Sequence, residues 1–193
     1  VFAEDGYVGA SARRIAGLAG VAPPAVQYHF DGKEGLHRAC GQAIVERALQ
    51  SMARELADGR SALALADKSA KADALRALIV RAADLAMRDS DPEPWSQFFR
   101  RCQADQVGPA AEVVQQGFGI PLAMLVSALF AGAAGLEPES NQARVRAALL
   151  LSQLTYIHKS AKSNSSLGKS WDKDSQADLL DIFADNVRRL LAP

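Results

Sequence analysis

Near the start of the chain, Ser11, Gly20 and the pair Pro23-Pro24 punctuate the stretch ASARRIAGLAGVAPPAVQYHF. A serine oxygen can take up an orphan amide at a helix start. Glycine accepts the left-handed backbone on which helices end, and proline fits the first helical turn but not the interior. This order predicts a helix capped by Ser11, an end at Gly20, and a short second helix opened by the prolines. The turn Asp31-Gly32-Lys33 then closes the second helix. A longer third one begins near Lys33, with Leu36, Cys40, Ile44, Leu49, Met52 and Leu56 as its apolar positions. Helix, glycine-containing turn and short helix is the helix-turn-helix layout, in which the second helix enters the major groove of DNA.

The rest of the chain reads as helix too. Segments near 62–88, 94–104, 109–136, 141–160 and 175–191 show helical spacing, separated by DSDPEP, DQVGP, GLEPES and AKSNSSLGKSWDKDS. Apolar and polar residues nowhere alternate over a strand length, and no Asn-Gly or Asp-Gly hairpin signal occurs. The expected fold class is all-α. The longest apolar stretch, Gly119 to Leu136, is broken by Pro121 and Ser127 and reads as a tightly packed helix, not a membrane span. The opening VFAEDGY lacks the basic and apolar regions of a secretory signal, so a cytoplasmic location is expected.

The 22 basic and 22 acidic side chains cancel, which excludes a globally basic nucleic-acid coat but not a locally charged reading head. Cys40 and Cys102 lack Cys-x-x-Cys spacing and read as reduced structural thiols. From about residue 62 onward there is no spaced nucleophile, base and orienting group, no glycine-rich phosphate loop and no metal-ligand cluster. Neither catalytic nor metal-ligating residues are assigned, and no cofactor is expected.

The stretch FAEDGYVGASARRIAGLAGVAPPAVQYHFDGKEGL closely resembles the DNA-binding domain of the TetR family of bacterial regulators. Phe2, Gly6, Tyr7, Ser11, Ile15-Ala16, Ala19-Gly20-Val21, His29-Phe30, Lys33 and Leu36 carry the likeness. The YHF and GKEGL versions, PWSQFFRRCQAD and the tryptophan-containing GKSWDKDS look like the CecR-like branch. The resemblance implies a homodimer of about nine helices per subunit. Residues 1–50 would form a three-helix DNA-binding head and residues 51–193 a helical ligand-binding and dimerisation domain. Family members carry further, often basic residues ahead of the Phe2 position, so the first helix is expected to be truncated in this sequence. Two departures stand out. Ala22 replaces the usual Ser or Thr cap of the recognition helix, and Gln27 stands where many members have Tyr.

On a recognition helix, Pro23, Pro24 and Ala25 would point at base edges, and Gln27 could read an adenine or a phosphate. Tyr28 and His29 would face the DNA backbone, and Lys33 would meet a phosphate, with Ser11 and Arg13 adding contacts from the supporting helix. Ile15, Ala16, Leu18, Val21, Val26, Phe30 and Leu36 are the expected core of the head. Trp95, Phe98, Phe99, Arg101, Phe118, Met124 and Gln153 are candidates for an effector pocket. The implied dimer seam comprises Leu150, Leu154, Ile157, Leu179, Ile182, Phe183, Val187 and Leu190. The expected partners are operator DNA, a small-molecule effector and a second copy of the chain, with no membrane. The rival readings are a small-molecule binding protein without DNA affinity and a helical enzyme.

Overall fold

The computed structural model describes the backbone of residues 1–88, 94–105, 107–160 and 173–191, and their side chains except at 86–88, 94, 104–105, 155–160 and 173–176. The described residues form α-helices and no strand: α1 (Phe2–Gly9), α2 (Ala12–Leu18), α3 (Pro23–Phe30), α4 (Gly32–Ser51), α5 (Ala53–Leu63), α6 (Lys68–Arg88), α7 (Pro94–Asp105), α8 (Pro109–Val114), a π-helical turn (Gln115–Gly119), α9 (Ile120–Ala134), α10 (Asn141–Ser160) and α11 (Lys173–Leu191). The all-α expectation holds. Two segments that periodicity reads as single helices are divided. Met52, with φ −117° and ψ 14°, ends α4 ahead of α5, and the π turn separates α8 from α9. A non-helical residue inside an unbroken apolar period leaves the period itself intact, so sequence spacing does not reveal it.

Two compact units emerge, Val1–Ser51 with Pro92–Ile120, and Met52–Asp91 with Pro121–Pro193. The sequence expectation drew its line between 50 and 51; the first unit also takes in α7, α8 and the π turn. In that unit α4 packs on α8, α1 on α7, and α3 on both α2 and α4. Its core gathers Phe2, Ala10, Ile44, Phe98, Cys102, Ala110, Ala111 and Val114, with Ile15 and Leu36 packed against it. Ala16 and Val26 are buried as expected, whereas Leu18, Val21 and Phe30 are exposed. Short α2 can bury only one stripe, and Ile15 and Ala16 occupy it.

In the second unit α6 is the central helix, packed against α5, α10 and α11. Its Leu75, Leu78, Ile79 and Ala83 recur at helical spacing and are fully buried, as are Val126, Leu129 and Phe130 of α9. By length and composition the helical stretch Pro109–Ala134 could cross a membrane. Val126, Leu129, Phe130 and Ala131 of that stretch are buried in the second unit, and 33% of its apolar window is buried overall.

Candidate nucleic-acid interface

The local chemistry of α2 and α3 follows the punctuation in the sequence. The Ser11 side chain accepts the Arg14 amide at 3.4 Å and caps α2. Gly20 sits at φ +67°, where a side chain would be strained, and turns the chain toward α3. Pro23 and Pro24 occupy the first turn of α3, whose N-cap, Ala22, makes no side-chain hydrogen bond. Proline therefore stands in for the missing cap, because it has no amide to satisfy. At the other end Asp31 takes the left-handed conformation at φ 58° and accepts from Gln27 Nε2 at 3.1 Å.

Val26 is buried and anchors α3, which leaves Pro23, Pro24, Gln27, Tyr28 and His29 exposed and Ala25 half-buried. Pro24, Gln27 and Tyr28 are spaced three and four residues apart, so they share one outward stripe. Tyr28 is 85% exposed, and its ring meets that of His29 edge to face at 4.9 Å. An apolar, an amide and a phenolic group thus stand side by side, free of the core. Arg13 is exposed and makes no ion pair among the described residues. Its neighbour Arg14 is paired with Asp5 and with Glu4, the latter at 3.4 Å.

Lys33 has work that the sequence did not signal. Its ammonium donates to the carbonyls of Ala10 at 3.1 Å and Val8 at 3.4 Å, and lies 4.7 Å over the Tyr7 ring. It therefore ties α4 to the end of α1. Arg101 does the same from α7, donating Nη1 to the carbonyls of Ala3 at 3.0 Å and Glu4 at 2.7 Å. The most buried polar residue of the head, His37, was not singled out in the sequence at all. Its Nδ1 accepts the Ala110 amide at 3.0 Å, and its ring is packed by Phe2, Tyr7 and Phe98. Burial, reinforced by the Lys33 charge, lowers its pKa to about 4, so the ring is neutral near pH 7. Gly108 permits this packing. A Cβ there would lie 2.7 Å from Tyr7 Cγ and 3.0 Å from His37 Cε1, too close for any side chain.

The candidate effector residues are divided between the units. Trp95, Phe98, Phe99, Arg101 and Phe118 belong to the first, and Met124 and Gln153 to the second. Phe98 and Phe118 are buried, Phe99 meets Phe118 at 6.0 Å, and Arg47 lies 4.6 Å over Trp95. Met124 is exposed, while the Gln153 Oε1 is buried without a hydrogen-bond partner among the described residues.

On the expected seam, Leu150, Phe183 and Val187 are enclosed by the second unit itself. Leu154, Leu179 and Leu190 are half-buried and Ile182 is exposed, while the side chain of Ile157 lies outside the described residues. Among the described residues of α10 and α11, the outward apolar groups are Val145, Leu149 and Ile182. No cluster of metal-ligating side chains occurs among the described residues. Neither Cys40 nor Cys102 is in a disulfide, and burial raises the Cys40 thiol, which makes it a poor nucleophile.

Three comparisons bear on this arrangement. The family described as bacterial regulatory proteins, tetR family, matches residues 1–40. The family described as HTH-type transcriptional dual regulator CecR, C-terminal domain, matches residues 72–192. No curated protein matches the chain. A TetR family transcriptional regulator, PfmR from Thermus thermophilus, shares the fold with a TM-score of 0.60 at 17% identity, over 100% of this chain and 94% of that one. The exposed stripe of α3 thus belongs to a helix-turn-helix, and the chain is a member of the TetR family of DNA-binding transcriptional regulators, with a CecR-type C-terminal domain.

Proposed function

We propose that the chain acts as a cytoplasmic, non-enzymatic homodimeric repressor that leaves a palindromic operator when a small molecule binds. The observation that carries the DNA half of this reading is the outward stripe Pro24, Gln27 and Tyr28 on a helix anchored by buried Val26. Small rigid groups at the start of α3 permit close approach to base edges, Gln27 supplies a donor and an acceptor, and we assign the exposed Tyr28, His29, Ser11 and Arg13 to the DNA backbone. Residues 1–50 then serve as the reading head. The rest of the chain binds the effector and the second subunit.

Our candidate for the seam shifts by one helical position. Leu149 lies about 100° around α10 from Leu150, and Leu149 is 53% exposed whereas Leu150 is fully buried. We assign the dimer contact to the face bearing Val145, Leu149 and Ile182, which an isologous partner would cover. The unpartnered Gln153 oxygen supports a polar effector contact in the second unit.

Fluorescence anisotropy against fragments of the neighbouring genomic DNA tests the reading. We expect one fragment with an inverted repeat to bind tightly, with Gln27→Ala changing the preferred bases at a cost of about 1 to 3 kcal/mol. Equal binding to all fragments, unaltered by Gln27→Ala, would leave only nonspecific attraction and overturn the operator reading.

A further inference from the structure

Although Gln27 is exposed, it is tied twice to Asp31. The Asp31 backbone amide donates to the Gln27 carbonyl at 3.1 Å, and the Asp31 carboxylate accepts from Gln27 Nε2, also at 3.1 Å. A carboxylate only accepts, so the nitrogen end of the side-chain amide must be the end that faces it. The oxygen end, Oε1, lies against Gly32, where a Cβ would come to 3.0 Å and push the amide aside. One N–H is spent on Asp31. The second N–H and the oxygen remain, and they are the donor and acceptor that match N7 and N6 of an adenine in the major groove. An untied glutamine can turn its amide over and exchange donor for acceptor, which blurs that choice.

Asp31 also brings charge. It is exposed, it follows Gln27 by four residues and so continues the outward stripe of α3, and no cation pairs with it among the described residues. A carboxylate beside the reading amide repels a phosphate, whereas a base edge carries no net charge. The residue therefore weakens attachment to DNA of any sequence while it favours a base over the backbone as the partner of Gln27.

We propose that Asp31 is the positioning residue of the recognition helix: it holds the Gln27 amide turned for an adenine and denies that amide to the DNA backbone. The proposal deepens the function proposed above and rests on its reading of Gln27 as a group that meets bases. Selection from duplexes of randomised sequence, with sequencing of the bound fraction, reads base preference without a known operator. The unaltered chain should enrich an adenine at one position of each half-site, and Gln27→Ala should lose that enrichment while keeping the others. Asp31→Asn keeps an acceptor and tolerates the left-handed backbone. It should retain the adenine and bind a fixed unrelated duplex about threefold tighter, because a repelling charge is gone. Asp31→Gly tolerates the backbone too but has no acceptor. It should bind the unrelated duplex as tightly as Asp31→Asn, yet lower the adenine enrichment by about threefold or more. In the free protein, 15N relaxation of Gln27 Nε2 should show a more mobile amide in Asp31→Gly and not in Asp31→Asn. An adenine enrichment that survives in full in Asp31→Gly, or falls equally in Asp31→Asn, would overturn the positioning role and leave Gln27 as a reader. Unchanged affinity for the unrelated duplex in both Asp31 variants would overturn the exclusion of the backbone. If Gln27→Ala weakens every duplex alike and shifts no base, Gln27 is a phosphate contact, and its reading role and that of Asp31 fall together.

Discussion

The two units are held together by different chemistry. In the first, α1 is tied down by Lys33 on the carbonyls of Val8 and Ala10, Arg101 on those of Ala3 and Glu4, and Arg14 on Glu4 and Asp5, beside the His37 bond to Ala110. In the second, Leu75, Leu78, Ile79, Leu129, Phe130 and Leu150 are fully enclosed, and Val145, Leu149 and Ile182 stand exposed among polar neighbours. Hydrogen bonds fix direction, whereas apolar burial grows with area and is indifferent to angle. A helix that must meet a groove at a set angle gains from directional ties around it. A surface that must hold a second copy gains from area.

The sharpest way to break this contrast is to place a carboxylate on each side of the same helix. Leu150→Glu puts an unpaired charge into a fully buried site and should cost several kcal/mol, unfolding the second unit at much lower urea. Leu149→Glu combined with Ile182→Glu alters exposed positions, so unfolding should change by less than about 1 kcal/mol. Assembly should fail instead, because two copies would face each other with desolvated like charges. Sedimentation at micromolar concentration checks this, and a double variant that stays dimeric would put the interface on another face.

The next effect tests the directional side through pH. The pKa of His37 falls to about 4 in the folded head, against 6.5 for an ordinary histidine. Above pH 6.5 both folded and unfolded forms are neutral, and its contribution to stability is complete. As pH falls from 6.5 toward 4 the unfolded chain takes up the proton first, so stability is lost across that window and levels off below it. The loss should be on the order of 3 kcal/mol by the linkage of pKa to stability. Urea unfolding at successive pH values measures it, and His37→Phe should flatten this part of the profile. An unchanged slope in that variant would assign the acid sensitivity to carboxylates.

A smaller change concerns Arg101. Replacing it by alanine removes the donor to two α1 carbonyls and should cost about 1.5 kcal/mol, the low end for hydrogen bonds from charged groups. Amide exchange should rise in α1 before it rises in α6, and Arg101→Lys should restore part of the protection. Equal acceleration in both units would mean that the tie is not local to the head.

What the sequence made legible was chemistry acting over a few residues. The Ser11 cap, the left-handed Gly20 and the prolines at the start of α3 depend on near neighbours, and each is where its residue type predicts. Long-range ties left no such trace. Lys33 reaches back to Val8, Arg101 to Ala3, and nothing in either sequence window marks the partner. The seam is ambiguous in the sequence for a different reason. In AALLLSQL, Leu149 and Leu150 are the same residue on adjacent positions, so hydrophobicity alone cannot tell the core face from the open one. His37 escaped notice because a histidine in a helix has no motif until the rings around it are known.

Lys33 gives the smallest and most discriminating change, since it belongs to both sides of the function. Its ammonium already serves two carbonyls at the end of α1, but such a group has three donors and can still face a phosphate. Lys33→Ala should therefore lower the stability of the head by about 1 kcal/mol and weaken DNA binding alike for every sequence. If the third donor meets DNA, the salt dependence should become shallower by about one unit per half-site, because one fewer counterion is released there. Anisotropy titrations over a range of salt, on operator and on unrelated duplex, read both quantities together. An affinity that falls with the salt slope unchanged would make Lys33 a brace for α1 alone, and a change in base preference would place it among the groups that read sequence.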